Sequence, residues 1–160
     1  MPKLISNQLK AMLVVEDISE QGVNVMQGNC FTVQHFSYAC SRRRNDAGTP
    51  YGPTLPAYLD FTVKVASGNS GKVFFERMHQ DSTFPYSFLF NADFNDVRRL
   101  SACEDAMIAT GYIIDVEECY DKDIRLDANS EQMLIRARLL LSNIAYLGNE
   151  RTLSLIITND

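Results

Sequence analysis

The sequence predicts a mainly β domain, a barrel or a sandwich with one short helix, and three observations predict it. Leu59-Asp60-Phe61-Thr62-Val63-Lys64-Val65 is apolar at every odd position and polar at every even one, the period of a strand with one buried face. Phe84, Tyr86, Phe88 and Phe90 repeat that period around Pro85, Ser87, Leu89 and Asn91. The clearest helical spacing is a short one, lying between these two strands.

Taken in order, Ala11 to Glu16 and Phe31 to Ser41 read as strands from their β-branched and aromatic content. Arg42 to Pro56 contains three prolines and two glycines and reads as an irregular loop, long for a compact domain and therefore directed at something outside its own fold. After the Leu59–Val65 strand, Asn69 or Ser70 can cap a helix that places Phe74 and Met78 at i, i+4, keeps Lys72, Glu76 and His79 toward solvent, and ends near Asp81. Tyr112 to Tyr120 is a further strand. Ser130 to Ile144 admits both readings, because its residues are good helix formers while Met133, Ile135, Ala137, Leu139 and Leu141 alternate strictly. Leu153 to Thr158 closes the series with Leu153, Leu155 and Ile157 on one face.

The chain of 160 residues reads as a single domain spanning 1–160, without an internal repeat or low-complexity tract. By surface scaling it buries about 70% of its unfolded area, so a core forms without disulfide or metal. The net charge of −5 argues against broad nucleic-acid binding, which needs an excess of Lys and Arg. No apolar run approaches the 18 or so residues of a membrane-spanning helix, and Met1 to Lys10 lacks the apolar stretch of a signal peptide. Cys30, Cys40, Cys103 and Cys119 form no Cys-x-x-Cys pair and read as reduced thiols of a cytoplasmic product.

Candidate chemistry is sparse. His35 and His79 are the two groups suited to acid–base work near neutral pH, and neither stands in a nucleophile motif; phosphate-binding glycine motifs do not occur. Glu117, Glu118, Asp121, Asp123 and Asp127 lack the spacing of a cation loop, and strand geometry sends Glu117 and Glu118 to opposite faces. The expectation is therefore a non-enzymatic protein without cofactor or metal. The sharpest charge feature is Arg42-Arg43-Arg44, whose guanidinium forks suit carboxylates on a partner, with self-association favoured over nucleic acid. Phe84, Tyr86, Phe88 and Phe90 offer a second reading, a monomeric or dimeric barrel that holds a small apolar ligand.

The segment Tyr38-Ala39-Cys40-Ser41, the three arginines, Asn45 and Gly48-Thr49-Pro50 resembles, in spacing, a strand end and loop of the Hcp-like tube proteins of type VI secretion, in particular their Bacteroidetes TssD branch. Glu118-Cys119-Tyr120-Asp121 resembles a second strand end of that family, with Asp105-Ala106 before it. The resemblance spans roughly residues 10 to 158. Cys40 stands where the family has an aromatic, Asn45 where it has Asp, and Pro56-Ala57 where Gly-Gly is common.

The resemblance implies a β-barrel of about six to nine antiparallel strands with one short helix on its side, and it makes Gln132 to Leu141 a strand. It implies hexameric rings that stack into a tube and carry effectors, with sheath and spike proteins as further partners. Export would then proceed from the cytoplasm through the contractile machine without a signal peptide or membrane insertion. Arg42, Arg43, Arg44, Asn45, Asp46, Gly48, Thr49, Pro50 and Tyr51 are the expected assembly loop; Tyr38, Ser41, Glu118, Tyr120 and Asp121 are the strand residues that carry the motifs.

Overall fold

A computed structural model describes residues 10–18, 29–54, 56–65, 70–92, 105–120, 133–148 and 151–156. The strands are β1 (Lys10–Val14), β2 (Cys30–Ala39), β3 (Arg42–Arg44), β4 (Pro50–Thr54), β5 (Tyr58–Val65), β6 (Phe84–Ala92), β7 (Asp105–Tyr120), β8 (Met133–Gly148) and β9 (Arg151–Ile156), with the helix α1 at Lys72–Met78. Every pairing is antiparallel. The order β5-β2-β1-β6-β7-β8, closed by β5 pairing with β8, makes a six-stranded barrel. β9 lies outside the ring and extends the sheet along the 143–148 half of β8.

The interior is a single apolar core. The odd positions Leu59, Phe61, Val63 and Val65 all face it, as their alternation requires, together with Leu13, Phe31, Phe88, Ile135 and Leu139. Phe74 of α1 is fully buried and meets Phe31 and Phe61 at ring-centroid distances of 5.0 and 5.6 Å, so the helix packs its apolar side on the barrel contents. Ser70 accepts the Lys72 N–H at 3.1 Å, one position earlier than a standard cap, and Lys72 pairs with Glu76 at 3.3 Å along the wet side. The expected cap residue Asn69 lies outside the described residues. The helix ends at Met78, three residues short of the expected end, where 3₁₀-type bonds from His79 to Glu76 and Gln80 to Arg77 tighten the last turn.

A second, smaller cluster of Met12, Val14, Cys30, Leu89, Ala106 and Ile108 lies on the outer face of the β1-β6-β7 side. These strands are thus buried on both faces, which is why β1 and the start of β7 lack clean alternation in sequence, whereas β6 keeps an aromatic row on its core side. It also explains the main difference in element bounds. β7 begins at Asp105 and not at Tyr112, because Ala106, Met107, Ile108 and Ala109 are all buried and show no period of two. β8 is a strand, as the alternation of its first half requires, but it runs to Gly148, past a register shift where Ser142 hydroxyl donates to the Thr110 carbonyl at 3.0 Å.

The irregular-loop reading of 42–56 is corrected. Arg42–Arg44 and Pro50–Thr54 pair as a two-stranded arm, with Arg42 opposite Thr54 and Arg44 opposite Pro50. Pro50 and Pro53 are tolerated because an edge strand needs few amide donors. The tip is built by Asn45, whose Oδ1 accepts the N–H groups of Ala47 and Thr49 at 3.0 and 2.9 Å while its carbonyl accepts from Gly48 at 2.9 Å. Gly48 takes φ 84°, the left-handed position such a three-to-five-residue hairpin loop requires.

Candidate assembly surfaces

The arm leaves the barrel at one margin, between Ala39 of β2 and Tyr58 of β5, which are themselves paired. Residues 40–50 are exposed throughout, Arg42, Arg43 and Arg44 among them. β3 and β4 pack mainly on each other among the described elements. The predicted assembly residues Arg42 to Tyr51 therefore form one projecting unit. Of the motif residues, Tyr38 is half-buried with its ring 5.8 Å from Phe36, whereas Ser41, Glu118 and Tyr120 are exposed. Glu118 and Tyr120 sit at the far end of β7 and not beside the arm's root, and Asp121 lies outside the described residues.

Beyond the point where β1 and β6 stop pairing, β2, β5, β8 and β7 continue as a four-stranded sheet. Its outer face carries polar side chains in cross-strand rows. One row is His35–Thr62–Arg136–Glu117, the next Ser37–Asp60–Arg138–Asp115, and the next Ala39–Tyr58–Leu140–Tyr112. His35, Thr62, Arg136 and Glu117 of the first row and Asp60, Arg138 and Asp115 of the second line an open groove of about 740 Å³. In the middle row Arg138 grips Asp60 with Nε to Oδ1 at 2.8 Å and Nη2 to Oδ2 at 3.3 Å, and its guanidinium lies 5.4 Å from the Tyr58 ring centroid. Those bonds, with the field of Asp60 and then of Asp115, raise the Arg138 pKa further above its ordinary value. The groove missed sequence detection because its residues come from four separated strands; only the alternation of β5 and β8 pointed to it.

The acid–base candidates lie on this surface and on the helix end. His35 Nε2 is 3.5 Å from Ser37 Oγ, at the limit of a hydrogen bond, and both side chains are exposed; the nearby Asp60 is committed to Arg138. His79 is exposed just after α1. Cys30, Cys40 and Cys119 are not joined in disulfides, and burial pushes the Cys30 pKa up to about 11.

The aromatic residues that suggested an apolar-ligand site fill the barrel against one another. Phe36 meets Phe88 in a tilted contact at 4.8 Å and Phe90 edge-on at 5.2 Å, and Phe61 meets Phe88 at 5.7 Å and Tyr86 at 6.3 Å. Tyr86 and Phe88 are wholly buried. Rings at these separations occupy the space a ligand would need.

A closed six-stranded antiparallel barrel with a side helix and a projecting two-stranded arm is an Hcp-like architecture. Comparison with solved structures bears this out: the chain has the Hcp fold. Over 92% of its length it superposes on 98% of Hcp1 from Flavobacterium johnsoniae with a TM-score of 0.61 and 17% identity. A double mutant of Hcp1 from the E. coli EAEC 042 pathovar covers 92% of this chain and 98% of its own at a TM-score of 0.62 and 12% identity, and a further Hcp protein covers 95% and 99% at 0.61 and 11%. No family model and no curated protein matches the chain by sequence. The resemblance drawn from the strand-end motifs is thus supported at the level of the fold.

Proposed function

We propose that this chain is a structural subunit of a type VI secretion inner tube, assembling into hexameric rings that stack and carry effectors. The observation that carries the reading is the combination of the Hcp fold with a projecting, fully exposed arginine arm. A ring of identical subunits needs a heterologous contact, one patch of each copy meeting a different patch of the next. The arm at one margin of the four-stranded sheet and the long strand β7 at the other are two such unlike patches. The work is then done by surfaces, with no reaction at a cleft. Sheath and spike proteins are the further partners of such a tube. The protein is made in the cytoplasm and leaves through the contractile machine itself.

Static light scattering and negative-stain microscopy of the purified chain across a concentration series test this. Rings near six subunits, or short tubes, are expected. A monomer that persists at millimolar concentration overturns the reading.

A further inference from the structure

We propose that the outer edge of β7 is the seat for the arginine segment of a second copy, with a guanidinium of Arg42–Arg44 held between the Tyr112 ring and the Asp115 carboxylate. This rests on the self-assembly reading and names the contact. The template is inside the molecule. β5 and β7 flank β8 as its two neighbours, so Tyr58 and Tyr112 both stand opposite Leu140, and Asp60 and Asp115 both stand opposite Arg138. The register shift at Ile114 brings Tyr112 and Asp115 to the same relation that Tyr58 and Asp60 have at i, i+2. The two tyrosines are equally exposed, at 40% and 41%.

On β5, the pair of tyrosine and carboxylate holds Arg138 by two hydrogen bonds and a ring face. On β7 the same pair is presented outward. Past Gly111 the strand pairs with β8 alone among the described strands, and α1 packs against β7, while Tyr112 and Asp115 stay exposed on the outer face. Asp115 accepts no hydrogen bond from a described residue, since both Arg138 bonds go to Asp60. The exposed Glu117 carboxylate, opposite Arg136, continues the same face along β7.

The occupant follows from chemistry on the same chain. Against a net charge of −5, the three consecutive arginines of β3 are the sharpest positive feature. The arm that bears them is a two-stranded ribbon, a structure that is marginal in water until another surface covers it. It stands at the β2–β5 margin of the four-stranded sheet and β7 at the opposite margin, the placement a head-to-tail contact requires. Arginine, unlike lysine, can use ring and carboxylate at once, because its planar fork stacks and bonds bidentately.

The test is charge exchange in the full chain. Light scattering and negative-stain microscopy give the concentration at half-assembly for the natural sequence, for Arg42→Glu with Arg43→Glu and Arg44→Glu, for Asp115→Arg with Glu117→Arg, and for all five changes together. Each reversed set is expected to raise that concentration at least about tenfold, and the combination to return it to within about threefold of the natural value. Circular dichroism melts establish that each variant is folded. Two charge-neutral variants serve if a reversed β7 does not fold: Tyr112→Ser, and the three arginines changed to lysine, each expected to weaken assembly several-fold. Single sets that assemble normally, a combination no better than its parts, or full activity of the lysine form overturn the proposal while leaving a tube subunit intact. A natural chain that never assembles overturns the tube reading and this contact with it.

Discussion

Gly111 shows how a single residue sets the course of a long strand. A Cβ placed there would lie 2.3 Å from the Leu140 carbonyl oxygen and 3.2 Å from the Leu141 Cα, both of them backbone atoms that cannot turn aside. At Gly71 the equivalent Cβ would meet Ile135 Cδ1 at 2.6 Å and Cγ1 at 2.7 Å, side-chain atoms that a rotamer change can move, unlike backbone. Gly111→Ala is therefore expected to cost about 2–4 kcal/mol, and Gly71→Ala about 1–2 kcal/mol, in urea denaturation followed by circular dichroism. Cys30 carries the pH dependence at this scale. Its folded pKa is raised to about 11 from 9.0 by burial, so the neutral thiol is favoured in the folded state. That contribution is complete below pH 9 and is lost as pH rises through 11, up to about 2–3 kcal/mol. Tyr86, raised by its own burial, adds to the same alkaline loss. Cys30→Ala should flatten the fall in stability between pH 9 and 11, and a thiol reagent at pH 8 should label the exposed Cys40 rapidly while Cys30 reacts only on unfolding.

Elements whose core side carries a residue type distinct from the other side were legible in the sequence, and those of uniform character on both sides were not. β5 declared itself because one side of the strand packs on the core and the other meets polar surroundings, down to Phe61 inside and Asp60 in the outer groove, and β6, buried on both sides, by the aromatic row it keeps toward the core. The Ala106–Ala109 segment of β7 gave no period, since core and outer cluster take alternate residues of the same apolar kind. The arm failed for the opposite reason: with every residue from 40 to 50 exposed, the only clues were turn chemistry, and Asn45 with Gly48 is a hairpin signal that the prolines obscured. The assembly residues were located along the chain, but their counterpart on β7 depends on cross-strand register, which sequence does not display. α1 illustrates an element whose worth is tertiary. Seven residues are too few to be helical alone, so its stability comes from Phe74 between Phe31 and Phe61. Phe74→Ala should destabilise the whole barrel by about 3–5 kcal/mol, read as a cooperative shift of the urea midpoint at unchanged slope.

At the scale of the molecule, stability and assembly are carried by separate parts. The barrel holds its core with residues from every strand of the ring and from α1, and none of the arm's residues from Arg42 to Pro50 is buried. The margin from which the arm springs is secured independently, through the β2–β5 ladder that runs from Thr32 opposite Lys64 to Ala39 opposite Tyr58. Removing residues 42–50 therefore deletes almost no buried area from the folded state, and shortening the connection lowers the entropy of closing it. Replacing residues 42–54 with a short Gly-Ser turn should leave the melting midpoint within about 4 °C of the natural chain, because 1 kcal/mol moves a domain of this size by roughly that amount or less. With no tryptophan in the chain, the melt is followed by far-ultraviolet circular dichroism. The same variant should remain a monomer at concentrations where the natural chain forms rings. A midpoint lowered by about 10 °C or more would instead place the arm among the elements that hold the barrel shut. Rings formed without the arm would move the assembly contact to the strand margins alone.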